Sequence, residues 1–128
     1  RNQNRNKIIA SIKNSKNWKN QFNFINPKKN ISPSWFGLPI LLNEKYKNKL
    51  EKFLKFLDFN GIENRPILSG NFTNQPANKL YKLLNKKNTF PNADLIQKIG
   101  FFLGLHTKKI SNIETKYLSE KLLEIDKI

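Results

Sequence analysis

The nine-residue run Ser34-Trp-Phe-Gly-Leu-Pro-Ile-Leu-Leu42 constrains this chain more than any other stretch. It is the most apolar segment, yet far short of the roughly 20 residues that a membrane-crossing helix needs. Its length and aromatic content favour a strand, with Pro39 at an edge position or a bulge. A strand this apolar must be covered, and the sequence on either side supplies amphipathic helices to cover it.

Ile8, Ile9 and Ile12 recur at helical spacing, as the end of an amphipathic helix. Phe22 and Phe24, after Trp18, alternate with polar residues as in a strand, and a polar turn with Pro27 and Pro33 follows. Asn43 caps a helix whose inward face is Tyr46, Leu50, Phe53, Leu54 and Leu57, with Gly61 as its left-handed stop. Residues 62–68 read as a short strand and 69–76 as a turn-rich loop, and Pro76 opens a short helix through Leu84. Asn92 caps a helix with Leu95, Ile96 and Ile99 inward, ended by Gly100, and residues 101–106 form a buried-type strand. Ser111 and Glu114 make a capping box for a last helix that buries Tyr117 or Leu118, Leu122 and Ile125. Strands and helices are mixed, with loops too irregular for a doubly wound parallel sheet. The expected fold is α+β: a small antiparallel or mixed sheet of three to four strands covered by helices. At 128 residues, with no repeat and no shift of composition, the chain is one domain.

Composition excludes more than it assigns. There is no Cys and only one His, which removes disulfides, thiolate chemistry and any site built on a His pair, so no metal is expected. The formal charge of +15 points towards polyanions, but the chain holds 21 Lys and only 3 Arg, with 20 Asn, 14 Ile and no Val. Lys, Asn and Ile share A/T-rich codons, so codon bias explains the charge without a binding function. Sequence-reading proteins favour the planar fork of Arg. The expectation is no specific nucleic-acid partner, with a small basic module binding nucleic acid or another polyanion as the alternative function. The N-terminus is polar, with neither Met nor an apolar h-region, which suggests a piece of a longer protein.

No catalytic motif stands out: there is no Gly-rich phosphate loop, no H-E-x-x-H and no G-x-S-x-G. Four places remain. Trp35 and Phe36 precede a glycine at a strand entrance, as core packing or as a wall for a ring-shaped ligand. Arg65 is the only arginine after position 5 in a lysine-biased chain; it either grips an anion bidentately or pairs on the surface with Glu63. Asn71 follows Gly70 in what is either a ligand-approaching loop or an ordinary turn. His106 ends an apolar strand, either as a structural residue or as a group presented to a cleft.

Residues 34–39 (S-W-F-G-L-P), 61–66 (G-I-E-N-R-P), 69–76 (S-G-N-F-T-N-Q-P), 91–94 (P-N-A-D) and 100–106 (G-F-F-L-G-L-H) are together similar to the C-terminal domain of the DegT/DnrJ/StrS family of nucleotide-sugar aminotransferases, which depend on pyridoxal phosphate (PLP). The resemblance runs from about residue 5 to residue 126 and is nearest the branch containing sugar 3-dehydratases of lipopolysaccharide and O-antigen biosynthesis. It implies a C-terminal small domain of fold-type I over residues 1–128, with residues 1–14 as the end of an interdomain helix. It also implies a cytoplasmic enzyme, homodimeric at full length, acting on a nucleotide-linked keto sugar, with no membrane partner. PLP and the deciding lysine or histidine would lie mainly in a preceding large domain, so this chain carries no catalytic residue of its own. Arg65, Asn71 and His106 would face the cleft, with Trp35 and Phe36 nearby. Arg65 would meet an anionic group, and Asn71 and His106 would bond sugar or cofactor hydroxyls.

Overall fold

The structure is a computed structural model that describes residues 1–68, 70–81 and 89–128. Its helices are α1 (Asn2–Lys13), α2 (Leu50–Phe59), α3 (Pro91–Ile99) and α4 (Asn112–Leu123), and its strands are β1 (Phe22–Phe24), β2 (Gly37–Leu42), β3 (Asn64–Pro66) and β4 (Gly100–Gly104). The strands form one sheet in the order β1-β2-β4-β3, with every pair antiparallel. The fold is α+β, as the sequence pattern implies.

Alternation along each strand divides the sheet into two faces. Leu38, Ile40 and Leu42 of β2, Phe101 and Leu103 of β4 and Phe22 of β1 are buried together. Ile8 and Ile12 of α1, Phe53 and Leu57 of α2, and Leu122 and Ile125 at the C-terminal end join them in one core. Phe53 is its hub: its ring stacks with Phe22 at 6.1 Å and meets Phe101 edge-on at 5.9 Å. The opposite face carries Pro39, Phe102 and Arg65, which the register sets side by side across three strands.

Local signals account for the helix ends. Asn43 accepts a hydrogen bond from Lys45 N–H and caps a 3-10 turn, Glu44–Lys49, that leads into α2. Gly61 follows α2 with φ of +72°, a conformation that glycine adopts without steric cost. Ser111 and Glu114 form both bonds of the capping box on α4.

Several expectations need correction. Pro39 is not on an edge strand, because β2 lies between β1 and β4. The bond from Leu105 N–H to Phe36 C=O makes residues 36, 38 and 40 the ones bonded towards β4. The missing N–H of Pro39 therefore points towards β1, which has already ended at Phe24 opposite Ile40. Helix α3 begins with Pro91 rather than with a cap from Asn92. Leu118 packs against the core while Tyr117 turns to solvent, where its hydroxyl donates to Asn60 C=O at 3.0 Å. Leu95 is also more exposed than expected. The helix expected from Pro76 is a 3-10 turn, Pro76–Leu80, and its expected continuation over 82–84 lies outside the described residues, as does Ser69.

Candidate functional site

Three of the five candidate residues converge on the outer face of the sheet. Phe102 stands at the centre, opposite Pro39 on one neighbour and Arg65 on the other. The ring of Phe36 meets Phe102 edge-on at 5.4 Å. Gly37 makes this possible: a Cβ there would stand 2.6 Å from a Phe102 ring carbon. The glycine of S-W-F-G is thus the space into which the Phe102 ring lies. Trp35, Phe36, Pro39, Ile67, Leu68 and Phe102 are among the residues that line an open cleft of about 280 Å³. Phe36 is 64% exposed although it is a large aromatic, as is Leu68 at 81%.

Beside this apolar cleft lies a second hollow of about 270 Å³ that includes Phe36, Glu63, Arg65 and Gly104. Arg65 donates from Nε and Nη2 to the same Glu63 oxygen, at 3.1 and 2.8 Å. Both side chains are mostly in solvent. An exposed pair of this kind contributes little and exchanges partners readily. The surface ion pair foreseen for Arg65 is therefore formed, and it leaves the guanidinium able to take another anion.

Asn71 sits differently. It is buried, and its side chain is occupied: Nδ2 donates to Asp94 Oδ1 at 2.8 Å, and Oδ1 accepts from Thr73 N–H at 3.0 Å and Thr73 Oγ1 at 2.7 Å. Its backbone N–H donates to Gln97 Oε1 at 3.0 Å. Asp94 Oδ1 also accepts from Asn74 Nδ2 at 3.0 Å. The bonds from Asn71 and then Asn74 hold the Asp94 carboxyl below the usual aspartate range. Gly70, with φ of +60°, has its Cα side pressed against Gln97, where a Cβ would come within 2.8 Å of Gln97 Cβ. Asn71 and Gly70 thus fasten the 70–75 turn onto α3.

His106 lies away from these, beyond the end of β4, in a hollow of about 310 Å³ that also includes Ile8, Lys108, Lys109 and Glu114. The ring is exposed and makes no hydrogen bond among the described residues. Its backbone is held: Asn4 Nδ2 donates to His106 C=O at 2.9 Å and to Lys108 C=O at 2.6 Å. Gly104 borders both this hollow and that of Arg65, so the two meet at the end of β4.

Two residues that matter here went unnoticed in the sequence. Asn4 and Arg5 are buried although they stand in a polar N-terminal run. Helical spacing extends the Ile8 and Ile12 stripe back onto them, and that extension is the signal that could have found them.

No family model matches the chain. It is similar to the lipopolysaccharide biosynthesis protein RfbH of Salmonella typhimurium, 34% identical over 91 residues that are 66% of this chain and 20% of that protein. It is also 32% identical over 89 residues to GDP-4-keto-6-deoxy-D-mannose 3-dehydratase of Escherichia coli O55:H7, covering 70% of this chain and 23% of that enzyme. The chain thus spans about a fifth to a quarter of the length of these relatives. Among solved structures, the E. coli dehydratase with bound hydrated PLP matches over 94% of this chain and 30% of its own, with 25% identity and a TM-score of 0.73. A variant of the GDP-4-keto-6-deoxymannose 3-dehydratase ColD with bound GDP-perosamine matches over 94% of this chain and 29% of its own, with 26% identity and a TM-score of 0.77.

The fold and these matches define the class: a small α+β domain related to PLP-dependent nucleotide-sugar enzymes. The chain corresponds to a C-terminal portion of these relatives.

The described residues do not by themselves form a site for PLP. Such a site needs a proton-shuttling group, an acid and a phosphate cup in one place. The cleft beside Phe36 is lined by apolar residues. In the hollow of His106 the lining carboxylate, Glu114, accepts from Ser111 N–H at 2.8 Å as part of the helix cap. No helix among the described residues is long and apolar enough to cross a membrane, and no cluster of His, Cys, Asp or Glu there is suited to a metal.

Proposed function

We propose that this chain is the C-terminal domain of a PLP-dependent nucleotide-sugar 3-dehydratase or aminotransferase of O-antigen and surface-polysaccharide biosynthesis. In this reading residues 1–128 are one small domain, residues 1–14 end an interdomain helix, and the full protein is a cytoplasmic homodimer. PLP rests mainly on a preceding large domain. The observation that carries the reading is the match of 94% of the chain to the GDP-perosamine-bound dehydratase.

The chain's own part is to wall and orient the substrate. Trp35 and Phe36 offer an apolar surface to the sugar ring, on which C–H groups pack and from which water is excluded. Arg65 exchanges its exposed bond to Glu63 for an anionic group of the nucleotide sugar, where its planar fork takes two oxygens. Asn71, with its side chain already bonded, contributes by fixing the 70–75 turn and not by a free hydrogen-bonding group, which narrows the role given to it above. His106 presents its ring at the rim for a hydroxyl.

The test is turnover of a GDP-linked 4-keto-6-deoxy sugar by the longer enzyme that carries this chain. Arg65→Lys is expected to lower kcat/KM by about 10-fold or more through loss of bidentate geometry, while Lys55→Ala leaves it within about twofold. Equal activities for the two variants would remove Arg65 from the substrate site. The chain alone, mixed with PLP and then exhaustively dialysed, is expected to retain no cofactor absorbance.

A further inference from the structure

We infer that Arg5 is a positioning residue for the aromatic wall: it holds Trp35 and the backbone before it, so that Phe36 faces the cleft. The inference rests on the reading of that wall as substrate-facing. Arg5 is only 4% exposed, and no carboxylate among the described residues lies within ion-pairing distance of it. A buried cation without a counter-ion is costly unless other groups meet its charge. Here oxygen dipoles and a π face do so. Nη1 donates to Pro33 C=O at 3.1 Å, Nε donates to Asn6 Oδ1 at 3.3 Å, and Nη2 donates to Asn2 Oδ1. The guanidinium carbon lies 4.9 Å from the centre of the Trp35 ring.

This arrangement needs a flat cation. A guanidinium can stack on an indole and reach several acceptors in its own plane, whereas an ammonium is a compact point charge with no plane to stack. In a chain with 21 Lys and 3 Arg, arginine stands where lysine could not make these contacts together. The consequence runs along the backbone. Arg5 fixes Pro33 and Trp35, and Asn2 Nδ2 donates to Ser32 Oγ, so the first turn of α1 grips the segment leading into β2. Phe36, the next residue, is tied on its far side by the bond from Leu105 N–H to its carbonyl at 2.8 Å. The exposed ring on the outer face is thereby aimed from both ends.

The test uses the longer enzyme with a GDP-linked 4-keto-6-deoxy sugar. Arg5→Lys is expected to raise KM about 5- to 10-fold with kcat within about twofold, because the stack positions the wall and no reacting atom is touched. The same substitution on top of Trp35→Ala is expected to add nothing to KM, since Arg5 acts through Trp35. With 5-fluorotryptophan incorporated, the fluorine resonance that Trp35→Phe removes is expected to move towards its solvent-exposed position in Arg5→Lys. If Arg5→Lys does not accumulate as folded protein, Arg5→Gln, a planar neutral donor, takes its place with the same expected split. An Arg5 variant with unchanged KM, beside a Trp35→Ala variant with raised KM, overturns the role of Arg5 and leaves the wall standing. Unchanged KM in Trp35→Ala overturns the wall and the role of Arg5 with it. Multiplying effects in the double variant also overturn the inference.

Discussion

The two faces of the sheet are made from the same strands, yet one is sealed and the other is open. On the inner face Leu38, Ile40, Leu42, Phe101 and Leu103 are buried under helices that bring their own apolar stripes. On the outer face Phe36 and Leu68 stand largely in solvent around a cleft, with Pro39 and Phe102 as its floor. Apolar composition is common to both, so composition does not explain the difference. What differs is whether chain among the described residues covers it. In the proposed reading this open apolar face, rimmed by a charged pair, is the one that meets the substrate. The inner face carries the stability of the domain, and the outer face is free to serve binding.

The sharpest way to break this division is to empty the hub of the inner face. Phe53→Ala is expected to cost about 3–5 kcal/mol, because it removes the ring that joins Phe22 of β1 to Phe101 of β4. Urea unfolding followed by far-UV circular dichroism measures it, and a loss under 1 kcal/mol would show that the inner face does not carry the fold.

A second, smaller effect comes from acid. The hydroxyl of Tyr46, then Gln21, holds the Asp126 carboxyl below its usual value of 3.8, and Asn71 with Asn74 does the same for Asp94. Both folded pKa values lie below the unfolded ones. The stability they contribute is therefore present above the usual value and is lost as pH falls through the folded pKa. The urea midpoint is expected to stay level from pH 7 to about 5 and to drop below about pH 4. Tyr46→Phe should flatten the part of that drop due to Asp126, and Asn71→Ala the part due to Asp94. Tyr46 has the opposite sign: desolvation, then the bond to Asp126, raises its pKa, so its contribution is lost as pH rises above 10.0.

The smallest expected change sharpens the comparison from the other side. Phe36→Ala should shift the unfolding free energy by no more than about 0.5 kcal/mol, since the ring is already mostly hydrated. It should nonetheless raise KM for the nucleotide sugar in the longer enzyme. A large stability loss with unchanged KM would make Phe36 a packing residue.

The inner face was the legible part of the fold. The spacing of Tyr46, Phe53 and Leu57, the apolar strand within 34–42 and the capping box at Ser111 are local patterns, and each holds in the structure. What local pattern could not carry was the partnership between distant residues. Pro39 read as an edge residue because nothing in its neighbourhood reveals that β1 stops one position short of it. Arg65 stands out as the one late arginine, whereas Arg5, 30 residues before Trp35, lies within a polar start. Asn71 stood out through its turn, but its bond to Asp94 crosses 23 residues and no spacing rule announces it. The sequence placed Trp35, Phe36 and Arg65 as candidates; only the register around Phe102 shows that they share one face, with His106 in a neighbouring hollow.

Pro39 has one last effect, on how the sheet can grow. A zipper closing from Leu42 towards the start of β2 meets, at residue 39, a rung with no hydrogen to offer, and the closure halts at Phe24. The chain beyond is released from pairing, and Ile25 is left beside the cleft instead of locked into a ladder. A single imino acid in a central strand thus acts as a stopper, keeping the mouth of the domain from being stitched shut by its own backbone.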